Sequence, residues 1–239
     1  MDTRLRDVLE AGRRIVFFGG AGVSTESGIP DFRSAGGLYS RSSGTRYSPE
    51  EILSRSFFNA HPEEFFDYYR SHLVHTEAKP NPAHVALANL ERVGKLSAVI
   101  TQNIDGLHQA AGSRHVLELH GSVHRNHCLG CGRSYPLADV LAQQGVPRCA
   151  ECGAVIKPDV VLYEEALDLA VLEASIQELA AADVLIVGGT SLQVYPAAGL
   201  VRAFGGDRLV LINRDATDYD ALATLTIREP IGQALGWLA

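Results

Sequence analysis

Apolar positions fall along this chain in two alternating kinds of block. One kind is short, continuous and rich in β-branched or aromatic residues: Ile15 to Phe18, Leu96 to Thr101, Val116 to Leu119, Val160 to Leu162, Val184 to Val187, Leu209 to Ile212 and a run near Leu225. Such runs predict buried strands. The other kind spaces its apolar residues three and four apart, as Leu5, Val8 and Leu9 do within Asp2 to Ala11. The same spacing recurs at Pro82 to Arg92, Leu167 to Ala181, Pro196 to Phe204 and the stretch ending at Leu238, and predicts helices. Strand and helix alternate, which predicts an α/β fold: a Rossmann-like parallel sheet with helices on both faces.

Two stretches break the alternation. Pro49 to Leu73 carries Ile52, Leu53, Phe57, Phe58, Phe65, Phe66 and Tyr69, is interrupted at His61-Pro62, and predicts two short helices. Ser34 to Ser48, just before it, is rich in Gly, Ser and Arg without periodicity and predicts a loop. The second break, Ser122 to Pro158, contains all four cysteines as Cys128-x-x-Cys131 and Cys149-x-x-Cys152, with 17 residues between the pairs. That spacing suits a four-thiolate zinc ribbon, whose closed tetrahedral shell makes the metal structural; a redox dithiol pair is the alternative. His124 and His127 are read as bystanders to the metal. The expected division is therefore a Rossmann-like domain over 1–48, 81–121 and 159–239, and a small domain made of a helical module, 49–80, and the zinc ribbon, 122–158.

At 239 residues and 46% hydrophobic content, the chain can bury a sizeable core. A formal charge of -7 argues against a general grip on nucleic acid, which needs clustered Lys and Arg. Residues Met1 to Arg14 lack the apolar core of a signal peptide, and no run approaches a membrane span, so a cytoplasmic protein is expected.

Chemistry-bearing residues cluster where the predicted strands end. Gly19-Gly20-Ala21-Gly22 follows the first strand, with Ser24 and Thr25 beyond, a setting that suits a pyrophosphate. The dinucleotide fingerprint is half met, because Thr25 replaces its third glycine and no acid stands about 20 residues on. A turn that merely needs glycine explains this stretch equally well. Gln102-Asn103-Ile104-Asp105, His120, Gly189-Thr190-Ser191 and Asn213 also follow strands, and in open α/β sheets such positions converge on one cleft. Among them His120 is the candidate base, since an imidazole takes up a proton near physiological pH.

Together, Gly20-Ala21-Gly22-Val23-Ser24-Thr25, Gly28-Ile29-Pro30-Asp31-Phe32-Arg33, Gln102-Asn103-Ile104-Asp105, His120-Gly121, the paired cysteines and Gly189-Thr190-Ser191 resemble the sirtuins in order and in kind. The resemblance spans nearly the whole chain. It implies an NAD-dependent protein lysine deacylase that consumes NAD, carries structural zinc and acts on acyl-lysine proteins or peptides. By that resemblance Gly20, Ala21, Gly22, Ser24, Thr25, Gly189, Thr190 and Ser191 hold the phosphates, and Asp31, Phe32 and Arg33 shape the phosphate and nicotinamide region. Ile104 and Asp105 hold the carboxamide, Gln102 and Asn103 the nicotinamide ribose and its water, Asn213 the adenine ribose, and Ile231 the adenine. His120, with Asn103, is catalytic: the acyl-lysine oxygen attacks C1′ as nicotinamide leaves, and His120 accepts a proton relayed from a ribose hydroxyl.

Substrate positions follow from the same resemblance. Val160, Tyr163, Glu164 and Val194 would flank an extended peptide, and Phe66 and Tyr69 would line the acyl pocket. This chain has Tyr163-Glu164-Glu165 where sirtuins usually carry Phe-Gly-Glu, and the added carboxylate suggests a preference for basic flanking residues. Sirtuins that remove acidic acyl groups carry Tyr-x-x-Arg, which Phe66 and Tyr69 do not reproduce, so neutral acyl groups are expected. The competing readings are mono-ADP-ribosyl transfer, an NAD sensor without turnover, and a hydride-transferring dehydrogenase. His120 disfavours the first, the full set Asn103, Asp105 and His120 the second, and the missing ribose-binding acid the third.

Overall fold

A computed structural model describes residues 2–32, 34, 36–40 and 46–239 of the chain. Its first half runs α1 (Thr3–Ala11), β1 (Ile15–Gly19), α2 (Pro49–Ile52), α3 (Arg55–Ala60), α4 (Pro62–His72), α5 (Pro82–Arg92), β2 (Leu96–Thr101), α6 (Leu107–Ala110) and β3 (Val116–Glu118). The second half runs β4 (Gly121–Cys128), β5 (Ser134–Pro136), α7 (Leu137–Leu141), β6 (Ile156–Val160), α8 (Leu169–Ala181), β7 (Val184–Gly188), β8 (Arg208–Ile212), β9 (Leu225–Ile227) and α9 (Ile231–Leu235).

Six parallel strands pair in the order β3-β2-β1-β7-β8-β9. This is the doubly wound order, with the topological switch between β1 and β7. Because side chains alternate across a strand, Ile15 and Phe17 enter one core with α1, α5 and α9, while Val16 and Phe18 enter the other with α8. Val184 and Ile186 side with the first group and Leu185 and Val187 with the second. Phe17 and Phe18 are fully buried, each contributing about 1.5–3 kcal/mol relative to exposure.

A third core lies outside the sheet and joins α2, α3 and α4 to the cysteine region. Where the spacing predicts two helices over Pro49 to Leu73, three form. Ser48 and Glu51 make a reciprocal capping box at α2, and the Ser54 hydroxyl accepts the Phe57 N–H to start α3 afresh. The expected Val160–Leu162 strand lies earlier, as β6, and pairs antiparallel with β4 in the three-stranded sheet β5-β4-β6 rather than with the parallel sheet. Pro196 to Phe204 is a 3₁₀ segment, Ala197–Ala203, rather than an α-helix. Among the described residues no helix is long and apolar enough to cross a membrane.

Candidate active site

Two glycine loops meet at the switch point. The Gly22 N–H donates to the Gly189 carbonyl at 2.8 Å, and a Cβ on Gly22 would lie 2.8 Å from the Gly189 Cα. Gly189 itself has φ +58°, so neither position has room for a side chain. From Ala21 the chain makes two 3₁₀ turns, Ala21–Val23 and Thr25–Ser27, and stops at Gly28 with φ +85°. Asn81, buried at the start of α5, fixes this loop by donating to the Val23 carbonyl at 2.8 Å and to Ser27 Oγ at 3.0 Å. The Gln102 N–H extends the register of β2 to the Gly19 carbonyl at 3.0 Å, and its side-chain amide donates to Thr190 Oγ1 at 3.1 Å. Asn213, beyond β8, accepts the Thr190 N–H and donates to the Thr190 carbonyl, each at 3.0 Å.

Ser24 ties the polar centre together. Its hydroxyl donates to Asp105 Oδ2 at 2.6 Å and accepts from Asn103 Nδ2 at 3.1 Å. Asp105 Oδ1 accepts the Leu107 N–H at 2.9 Å, so both carboxylate oxygens are held. His124 turns out to bond the Asp105 carbonyl at 3.0 Å, which links β4 to this loop.

His120 sits between β3 and β4, with Nδ1 at 3.0 Å from the Gln102 carbonyl. A carbonyl can only accept, so Nδ1 carries the proton and Nε2 of the neutral ring is the acceptor. Burial pushes its pKa below the usual histidine value, against the smaller opposing effect of the Gln102 bond. Gly121 follows at φ +74°, where a Cβ would run into the Asp159 carbonyl oxygen. Only glycine lets β4 leave directly from the histidine.

One cleft of about 610 Å³ gathers these groups, a volume in the range of small-molecule sites. Lining it are Gly20, Ala21, Gly22 and Ser24 from the first loop, and Asp31 and Phe32 beyond it. Gln102, Asn103, Ile104, Asp105 and His120 line its middle, and Gly189, Thr190, Ser191 and Asn213 belong to the same cleft. Thr25 and Ile231 line a smaller cavity of about 240 Å³, which shares Gly22, Gly189 and Asn213 with the first. Arg33 lies outside the described residues.

Val160, Tyr163, Glu164 and Val194 also line the cleft. The Tyr163 N–H and carbonyl are taken by the Leu53 carbonyl and the Arg55 N–H, at 2.9 and 3.0 Å. Glu164 adopts φ +73°, the left-handed conformation natural to the glycine of Phe-Gly-Glu. Its Oε2 accepts the Ser56 N–H at 2.9 Å and the Ser56 hydroxyl at 2.6 Å, which holds the residue there and engages one of its two carboxylate oxygens. Lys157 and Glu165 brace the same turn through an ion pair of 3.0 Å, with Lys157 also donating to the Val160 carbonyl at 2.9 Å.

Phe66 and Tyr69 do not reach the cleft; both are fully buried among Phe58 and Phe65. Instead Leu53, His72, Leu73 and His75 face it from the helical module. Arg70 is committed elsewhere, donating to the carbonyls of Gln143 and Gly145 at 3.0 and 2.6 Å.

In the small sheet the four cysteine sulfurs lie within 4.8 Å of one another. Tetrahedral thiolates at about 2.3 Å from zinc stand roughly 3.8 Å apart. The Cys128–Cys152 and Cys131–Cys149 separations of 3.3 and 3.6 Å suit that shell and are too long for disulfides. The Gly130 and Cys131 N–H groups point at the Cys128 sulfur from 3.3 and 3.4 Å, as they would toward a thiolate.

A family model described as Sir2 family matches residues 20–196. The NAD-dependent protein deacetylase of Cutibacterium acnes is 58% identical over 227 residues, 95% of this chain and 93% of that protein. A solved structure described as Sir2-p53 peptide-NAD+ superposes with a TM-score of 0.85 at 40% identity, covering 98% of this chain and 96% of the other. Another, described as Sir2 with an inhibitor, 2′-O-acetyl-ADP-ribose and a deacetylated p53 peptide, gives 0.84 at 39% identity and the same coverage.

Proposed function

This chain belongs to the Sir2 family, and from that premise we propose that it is an NAD-dependent protein lysine deacetylase, moving the acyl group of a modified lysine to ADP-ribose and releasing nicotinamide. The observation that carries the reading is His120, lining the same cleft as the Gly20–Ser24 loop with its Nδ1 proton fixed on the Gln102 carbonyl. Bound in that cleft, NAD would supply an electrophilic C1′ once its nicotinamide leaves.

The residues around it divide the remaining work. The interlocked Gly22–Gly189 turn lets backbone approach the phosphates closely, with Thr190 and Asn213 fixing its far side. Ser24, Asn103 and Asp105 form one hydrogen-bonded unit that would orient the nicotinamide and its ribose. Neutral His120 accepts a ribose proton at Nε2, and its lowered pKa keeps that nitrogen available in mildly acid solution. An extended substrate would lie beside Val160 and Glu164, with Val194 across the groove, as an added strand.

Cys128, Cys131, Cys149 and Cys152 would hold zinc in a closed shell far more suited to folding than to chemistry. We assign 49–80 and 122–158 to one small domain, supported by the core they share. A cytoplasmic setting suits the reduced, paired cysteines. The test is to incubate the protein with NAD and an acetyl-lysine peptide and follow nicotinamide and peptide mass together. Nicotinamide release without loss of the acetyl group would overturn the proposal.

A further inference from the structure

Partway along, β4 leaves its partner strand. Ser122 pairs with Asp159 and Asn126 with Pro158, so Val123, His124 and Arg125 bulge out of the ladder with β6. Such a bulge re-aims the groups it carries. Here they turn to the loop after β2: the Val123 N–H donates to the Ile104 carbonyl, and His124 Nε2 meets the Asp105 carbonyl, each at 3.0 Å. A carbonyl can only accept, so Nε2 carries the proton and His124 is the donor. The ring also has a seat, because Gly106 follows at φ +73° and a Cβ there would lie 2.7 Å from the His124 ring.

The bulge is itself held in shape. Ser122 Oγ accepts the His124 N–H at 3.2 Å, Asn126 Nδ2 donates to the Val123 carbonyl at 3.3 Å, and Arg125 pairs with Glu118 at 2.6 Å and Asp159 at 2.9 Å. His124 is exposed and does not line the cleft, whereas Ile104 and Asp105 do. Its reach into the cleft is therefore indirect, through the Asp105–Gly106 peptide. A peptide unit is planar, so bonding the Ile104 and Asp105 carbonyls sets two consecutive planes of the loop. Ser24 and the Leu107 N–H hold the Asp105 carboxylate, and His124 holds the same residue by its backbone.

NAD and free nicotinamide would depend on this loop to different degrees. If the loop gives, NAD keeps its phosphate contacts at the Gly22–Gly189 turn, but free nicotinamide has no phosphate and relies on the loop and its neighbours alone. We propose that His124 is a positioning residue for nicotinamide: by clamping the Asp105–Gly106 peptide it sets the concentration at which released nicotinamide rebinds and re-forms its bond to C1′, expelling the acyl-lysine oxygen. The inference rests on the reading of Ser24, Asn103 and Asp105 as the unit that orients nicotinamide.

Its test titrates labelled nicotinamide in the exchange reaction with NAD and an acetyl-lysine peptide, reading half-saturating nicotinamide, NAD KM and peptide KM side by side. His124→Ala loses the ring and the donor; His124→Phe keeps a ring over Gly106 without the donor. In both, half-saturating nicotinamide should rise about three- to tenfold, the loss of one hydrogen bond, with a smaller rise in NAD KM and peptide KM held within about twofold. His124→Gln, whose amide N–H can serve the same carbonyl, should return the nicotinamide value to within about twofold of wild type. An unchanged value in the Ala and Phe variants overturns the proposal, as does an equal rise in peptide KM or a Gln variant no better than Ala. The wild type decides even if no variant folds, since ring nitrogen shifts that place the His124 proton on Nδ1 would remove the clamp. No exchange in the wild type would sink the reading of the nicotinamide unit itself, whereas strong exchange that His124 variants leave unaltered sinks only this inference.

Discussion

Acid should destabilise this protein through two histidines that take no part in the chemistry. His84 and His108 are buried with ring centroids 4.8 Å apart, and His108 also packs against Phe17 at 6.0 Å. Burial lowers His84 to about 4, with Asp105 opposing, and lowers His108 to about 3, with His84 adding to the shift. Both folded values lie below the ordinary histidine value of about 6.5, so the unfolded chain binds more protons in acid. The contribution is fully present above that value and is lost as pH falls toward 4 and 3. At pH 5 an imidazole kept neutral about 1.5 units below its unfolded pKa costs roughly 2 kcal/mol, and the coupled pair at most roughly twice that. Urea midpoints followed by circular dichroism at pH 7, 6 and 5 measure the loss. His108→Leu, compared with wild type, removes one titrating group while leaving the zinc ligands alone, so the pH slope should fall by about half. Equal slopes in the two proteins would refute the assignment. Since α6 begins two residues after Asp105 and its first N–H bonds the Asp105 carboxylate, protonation should also loosen the Asp105 loop.

Three further outcomes follow from the site. Replacing Cys128 or Cys149 by Ala should leave little soluble protein, and metal analysis of the wild type should give one zinc per chain; a soluble, active, metal-free variant would contradict a structural role. Gly121→Ala should cost at least about 1–2 kcal/mol for the left-handed backbone alone, and should reduce turnover because β4 cannot then leave His120 without moving from Asp159. Acetyl- or butyryl-lysine should be preferred to succinyl-lysine in kcat/KM, because no arginine of the helical module, 49–80, lines the cleft and an unpaired buried carboxylate costs several kcal/mol; succinyl turnover equal to acetyl would refute this.

Much of this architecture is legible in the chain because it rests on local signals. Strand runs such as Val184–Gly188 carry their own burial pattern, and two cysteine pairs at ribbon spacing announce a tetrahedral site without any tertiary information. The gathering of Gly20, Asn103, His120, Thr190 and Asn213 follows from the rule that parallel strands offer their carboxyl ends to one cleft. What escapes depends on packing between distant segments. Helical spacing marks Phe66 and Tyr69 as apolar but does not say which apolar face meets the cleft, and the packing of Phe58 and Phe65 sends both into the core. His72 and His75 carry no motif, and only the end of α4 brings them to the cleft. The bond from His124 to the Asp105 carbonyl joins β4 to the loop after β2, where periodicity has nothing to report.

In the proposed reaction His120 acts as a base after nicotinamide has left. His120→Ala separates the two stages when labelled-nicotinamide exchange into NAD and formation of deacylated peptide are measured in one reaction. Removing a positioned general base typically costs about 10²- to 10⁴-fold in the step it serves. A loss of that size is expected in deacylation, while NAD affinity and nicotinamide exchange persist. Deacylation within about threefold of wild type, or exchange and deacylation falling together with NAD affinity, would contradict it.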